Sequence, residues 1–230
     1  ITAYDVLGNT IYLNKTVYVD NTPPYMVESI EGPSYTTEDG RTFVTSDTII
    51  NVIIGDSGEC SVGSLHVRVG IWYNGEWTYS WQNVSEGQIN LAINFDEECK
   101  HILNITAYDD LGNAIYLNET FYVDNTPPYT TIEYGIPHYM DGINEWITSD
   151  TLIYVNATDI GVGIVHLNIS VYSFETDSWT YYEVDASGTA NISFTLQEEC
   201  KHWINITAYD VLGNTIYLNK TVYVDNTPPY

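Results

Sequence analysis

Basic side chains are nearly missing from this chain: 6 Lys and Arg stand against 31 Asp and Glu, a formal net charge of −25. With so little positive charge to pair with phosphates, nucleic acid and anionic membrane faces are excluded as partners. Divalent cations and basic partners remain, as does the plain reading that the acid keeps a crowded surface protein soluble. No run approaches the roughly 20 apolar residues of a membrane helix, so no direct membrane insertion is expected from this segment, and no signal peptide is visible. Strong helix formers (Ala, Lys, Gln, Arg) are scarce, while Val, Ile and Tyr are plentiful, which favours strands. The Gly-x-Ser-x-Gly elbow, the His-Glu-x-x-His pair and the phosphate-binding glycine loop are also missing, so neither catalysis nor an organic cofactor is expected.

What is there is a repeat. ITAYDVLGNTIYLNKTVYVDNTPPY occupies Ile1 to Tyr25 and recurs unchanged at Ile206 to Tyr230. A third copy at Ile105 to Tyr129 differs only at Asp110, Ala114, Glu119 and Phe121. The copies start 104 and 101 residues apart, each the size of one immunoglobulin-like sandwich. The first and third copies agree better with each other than with the second, the pattern of an A-B-A-B array with a two-domain period. The expected organisation is a closing hairpin at 1–25, belonging to a preceding or neighbouring domain, and immunoglobulin-like domains at 26–129 and 130–230.

Within each domain the same strands are readable. Thr48–Ile54, Leu65–Tyr73, Ile89–Phe95, His101–Tyr108 and Ala114–Val123 alternate apolar with polar residues. Leu152–Thr158, Val165–Phe174, Ala190–Leu196, His202–Tyr209 and Thr215–Val224 repeat the series. Gly112 and Gly213 supply the positive φ that a tight hairpin needs. The fold class is therefore all-β, with tandem antiparallel sandwiches. Val-Asp-Asn-Thr-Pro-Pro-Tyr joins them, and its two prolines predict a short, stiff connection and a rod.

The block Asp-x-Leu-Gly-Asn, an alternating strand and then Tyr-Val-Asp-Asn-Thr-Pro-Pro resembles the closing hairpin of immunoglobulin-like repeats in bacterial and archaeal surface proteins. Trp146 to Thr151 and Phe43 to Thr48 are similar to the start of the second strand in those repeats. The resemblance covers both full domains and the overhang. It implies an extracellular, modular role in stalks, adhesins, fibres or S-layer-associated proteins, and it implies no chemistry.

Nine Asn-x-Ser/Thr sequons mark Asn14, Asn83, Asn104, Asn118, Asn156, Asn168, Asn191, Asn205 and Asn219. Several fall on outward strand faces, where Asn is a poor strand former, and N-linked glycans outside the cell explain its use. The alternative is simple solvation of those faces. Cys60 and Cys99 are placed to form a disulfide within the first domain, whereas Cys200 lacks a partner and is either a buried thiol or a link to another chain. His66 with His166, and His101 with His202, match between repeats without ligand spacing, so a strand-face role fits them better than zinc.

Calcium is the metal candidate. Asp20 with Asn21, Asp124 with Asn125, and Asp225 with Asn226 place oxygens at the junctions, and Asp5, Asp109 and Asp210 stand in the hairpin turns. Turn formation alone is the competing account. Outward tyrosines at positions 12, 18, 116, 122, 217 and 223 (Tyr12, Tyr18, Tyr116, Tyr122, Tyr217, Tyr223) suggest an assembly surface or a saccharide platform, or only cross-strand pairing. Copies of itself, neighbouring domains of the array and glycans are the expected partners. The function expected is a structural repeat of a surface stalk, filament or layer. The alternatives are an adhesin or carbohydrate-binding module, and a spacer array for a cell-surface enzyme.

Overall fold

The computed structural model describes residues 1–58, 61 and 63–229. The fold is all-β: every regular element among the described residues is a strand. A short hairpin, β1 (Thr2–Tyr4) and β2 (Thr10–Tyr12), opens the chain. Nine strands follow: β3 (Tyr25–Glu31), β4 (Ser34–Thr36), β5 (Thr42–Val44), β6 (Ile49–Gly55), β7 (Leu65–Tyr73), β8 (Glu76–Val84), β9 (Gln88–Ile93), β10 (Lys100–Tyr108) and β11 (Ala114–Val123). Nine more repeat them in order: β12 (Tyr129–Tyr134), β13 (His138–Met140), β14 (Glu145–Ile147), β15 (Ile153–Thr158), β16 (Ile164–Ser173), β17 (Ser178–Ser187), β18 (Thr189–Phe194), β19 (Lys201–Tyr209) and β20 (Thr215–Val224).

Two compact units contain these strands. One comprises 1–29, 50–93 and 102–119; the other comprises 30–49, 94–101 and 120–230. In the second unit, a three-stranded sheet in the order β12-β15-β18 faces a six-stranded sheet in the order β13-β14-β20-β19-β16-β17. Strict alternation along β16 and β19 sends Leu167, Ile169, Ile204 and Ile206 inward against Ile153, Val155 and Ala190. That dry interior is what the period-two pattern of the sequence encodes. In the first unit β6 pairs antiparallel with β9, and β7 lies between β8 and β10.

The strands expected from alternation are present, with ends shifted by one or two residues. Among those not foreseen, β4, β5, β13 and β14 have three residues each, and β8 is exposed along nearly its whole length. Two equivalent pairings, one in each repeat, depart from the antiparallel expectation. β5 runs parallel to β11, and β14 runs parallel to β20. In the opening hairpin the second strand stops at Tyr12, and Ile11, Leu13, Val17 and Val19, which alternate with the outward tyrosines, are all exposed.

The repeated Thr-Ser-Asp-Thr segment is a structural staple. Thr45 N–H donates to Thr48 Oγ1 at 3.1 Å, and Thr48 Oγ1 donates to the Pro33 carbonyl at 2.6 Å. Thr148, Thr151 and Pro137 repeat the arrangement at 3.1 and 2.7 Å.

Candidate functional site

The Asp-x-Leu-Gly-Asn block folds as an aspartate-held turn in all three copies. Asp5, Asp109 and Asp210 each accept two backbone N–H bonds through Oδ1, all at 2.9 Å. Each accepts the Asn side chain through Oδ2 at 2.7 Å. The glycine takes φ of +83°, +87° and +93° in the three copies, which only glycine adopts without strain. The same Asn then ties the turn to the junction aspartate: Asn113 Nδ2 donates to the Asp20 carbonyl at 3.3 Å, and Asn214 Nδ2 to the Asp124 carbonyl at 3.0 Å.

This tie draws carboxylates together. In the second unit Asp124, Asp159 and Asp210 each offer an oxygen within 4.8 Å of the others, and all three are buried. In the first unit Asp20, Asp56 and Asp109 make the same cluster. Sequence reasoning found two members of each triad and missed the third, Asp56 or Asp159, which directly follows its strand. The signal available was the repeat itself, since each begins a loop ending in a positive-φ glycine, Gly63 or Gly163.

The loop from Asp159 to Gly163 is built around its neighbour's carboxylate. Val162 N–H donates to Asp124 Oδ2 at 2.6 Å, Thr126 N–H to Asp124 Oδ1 at 3.2 Å, and Gly163 N–H to Asp159 Oδ2 at 2.6 Å. A Cβ at Gly161 would overlap Asp124 Oδ2, so any side chain there would have to displace that carboxylate. Beside the triad, Phe43 packs with Val162 and Leu212, backed by Tyr122.

Burial pushes the Asp124 carboxyl above its ordinary value, and the charges of Asp159 and Asp210 add to the rise. Burial likewise raises Asp210, with Asp159 adding to it. None of the ion pairs among the described residues involves this triad. Carboxylate oxygens within 4.8 Å of one another repel by at least roughly 3–4 kcal/mol per charged pair at an effective dielectric of about 20. Such a cluster must either take up protons or hold a cation. In the first triad Asp56 Oδ1 is buried and makes no hydrogen bond, while Asp56 Oδ2 accepts from Gly63 N–H at 3.4 Å. All-oxygen carboxylate donors suit a hard divalent ion such as calcium.

The remaining candidates are placed as follows. Asn125 and Asn226 do not join a triad: their Oδ1 atoms accept the Ser46 and Ser149 N–H groups at 2.8 and 2.9 Å. Asn21 is exposed, and so are Asp5 and Asp225, neither of which belongs to a carboxylate cluster among the described residues. Tyr12, Tyr18, Tyr116 and Tyr217 are exposed. Tyr122 and Tyr223, expected on a free face, are half-buried and packed on Phe43 and Trp146 at centroid distances of 5.3 and 4.7 Å.

Five sequon asparagines are exposed, Asn14, Asn83, Asn118, Asn191 and Asn219, and the other four, Asn104, Asn156, Asn168 and Asn205, are half-buried. The register sets Asn156 opposite Asn191 and Asn205 opposite Asn219. Cys99 and Cys200 are free thiols. The expected partner of Cys99, Cys60, lies outside the described residues. His66 and His166 stack on Tyr108 and Tyr209, whereas His101 and His202 are buried.

No protein-family model and no curated protein matches the chain. Among solved structures it is similar to a 1.5-MDa bacterial ice-binding adhesin, at 14% identity and a TM-score of 0.41 over 89% of this chain and 65% of that one. It is also similar to a Ca2+-stabilized, ice-binding adhesin of an Antarctic bacterium, at 17% identity and a TM-score of 0.32 over 97% and 55% of the two chains. Fibronectin(III)-like modules of Clostridium thermocellum CbhA align at 12% identity and a TM-score of 0.35 over 86% and 94%. The chain thus spans less than two thirds of either adhesin structure. No helix among the described residues is long and apolar enough to cross a membrane.

Proposed function

We propose that this chain is a structural repeat unit of an extracellular, glycosylated surface protein, and that calcium fastens one repeat to the next within a stiff stalk, filament or layer. The observation that carries this reading is the buried triad of Asp124, Asp159 and Asp210. It unites the residue that closes one repeat with two turns of the next, and it buries three carboxylates with no ion-paired base. Its counterpart, Asp20, Asp56 and Asp109, supports the same reading through the unbonded Asp56 Oδ1.

In this account the ion supplies charge compensation and orientation and takes no part in a reaction. Asp124, Asp159 and Asp210 hold it in one place, and Asp20, Asp56 and Asp109 hold it in the other. The hydrogen bonds from Val162, Gly163, Leu212 and Asn214 fix those carboxylates before it arrives. The apolar contact of Phe43 with Val162 and Leu212 closes the junction beside it. Glycans on the outward asparagines keep the sheet faces apart from unrelated surfaces. Partners are copies of the same chain, and no catalytic role is assigned.

Electron microscopy of the native array, with calcium and with a chelator, tests the reading. Straight rods, fibres or sheets in calcium that become flexible or disperse on chelation are expected. Identical images in both conditions would contradict it.

A further inference from the structure

β8 ends its sheet, paired on one side with β7, and carries three aromatic side chains on one face. Trp77, Tyr79 and Trp81 are 40%, 55% and 57% exposed. Alternate residues on a strand lie roughly 6.8 Å apart, so the row extends about 14 Å. The rings are held in place. Trp77 and Tyr79 are parallel to within 12° with centroids 5.9 Å apart.

Both rings lie across Gly70 in the middle of β7, where a Cβ would sit 2.8 Å from the Tyr79 ring and 3.3 Å from Trp77. A glycine inside a strand costs stability and marks a close approach, and here what approaches is the aromatic row itself. On the same face the Arg68 guanidinium lies 5.4 Å from the Tyr79 centroid, with Nη2 reaching Asn104 Oδ1 and Thr106 Oγ1 at 3.5 and 3.4 Å. The second unit does not repeat the row. Ser170 stands where Gly70 does, and the strand continues beyond Trp179 and Tyr181 with Glu183 and Asp185.

The chemistry around the rings selects the occupant. From Trp77 to Asn83 the strand carries no charge, in a chain whose net charge is −25. On the same face as the rings lie the Asn83 and Asn104 amides, the Thr106 hydroxyl and the Arg68 guanidinium, while Thr78, Ser80 and Gln82 alternate to the opposite face. Flat rings bordered by amide, hydroxyl and guanidinium groups, with no carboxylate from Trp77 to Asn83, match the apolar faces and hydroxyl edges of pyranose rings.

We propose that Trp77, Tyr79 and Trp81 form a binding platform for an extended neutral polysaccharide, supplied from outside the chain. This goes beyond the structural role above and does not depend on calcium.

Affinity electrophoresis of the native protein through gels containing hydroxyethyl cellulose, xylan or mannan tests it. Retardation by at least one of these is expected, with a tenfold or greater weakening in Trp77→Ala/Trp81→Ala and in Tyr79→Ala. Circular dichroism checks that each variant is folded, and Trp81→Phe, which keeps a stacking ring, should retain most of the binding. Absence of retardation in all three gels would overturn the proposal, as would retardation that the folded variants leave unchanged. Binding only after enzymatic removal of N-glycans would show that the chain's own sugars at Asn83 or Asn104 cover the face, and would overturn an external ligand. Dissociation of a dimer by the same substitutions would assign the row to self-association instead.

Discussion

Single residues do two jobs at the junctions, and this is where sequence and structure diverge most. Asp109 and Asp210 were readable either as turn formers or as calcium ligands, and each carboxylate holds its turn while facing a cluster. Asn125 and Asn226, adjacent to true cluster members, serve the Thr-Ser-Asp-Thr staple instead. Asp56 and Asp159 escaped notice because isolated acids carry no signal in so acidic a chain, and their loops differ in length, running from Asp56 to Gly63 and from Asp159 to Gly163.

Asp159→Asn should remove one calcium-dependent increment of stability. Saturation to 100 times the dissociation constant gives about 2.7 kcal/mol, so the variant should melt about 5–10 °C lower in calcium and shift little in chelator. Scanning calorimetry in both conditions reads this directly. Gly161→Ala should have a comparable effect by displacing the Asp124 carboxylate.

Strands were legible wherever one face is buried. The alternation in β7, β10, β16 and β19 reports the dry side of each sheet, and their ends were placed to within two residues. β8 and β17 were not legible, because β8 buries almost nothing and the outer half of β17 is likewise exposed. The parallel pairs of β5 with β11 and β14 with β20 involve three residues of each strand, too few for a pattern. Those short strands still matter, since β5 carries Phe43 to the junction. Phe43→Ala should cost about 3–5 kcal/mol, as large-to-small changes in cores do, measured by chemical denaturation. Thr48→Val removes the bond to the buried staple and should cost about 1–3 kcal/mol in the same assay.

For the molecule as a whole, the proposed calcium sites set acidity and ion binding in opposition. In chelator, Asp124 and Asp210 are held above the ordinary carboxylate value by burial. The folded state then keeps protons that the unfolded state has released. Stability is therefore greatest below the ordinary value of 3.8 and is lost as pH rises through the raised values. With calcium bound the ionised carboxylates are favoured, and acidification competes with the ion. Lowering the pH from neutrality should thus stabilise the second repeat in chelator and destabilise it in calcium, and paired melting curves across that range check the opposite slopes. The repeat and the sandwich class were plain in the sequence, because they rest on periodicity. The third carboxylate of each triad and the aromatic row rest on cross-strand register, which only the fold supplies.

Calcium binding itself decides the central claim, and isothermal titration with metal analysis of the intact chain is the direct measurement. Two ions per chain are predicted, falling to one in Asp159→Asn and to one in Asp56→Asn, with chelation lowering the melting temperature of the parent chain. Failure to bind calcium at millimolar concentration, with the same melting temperature in calcium and in chelator, would contradict the account.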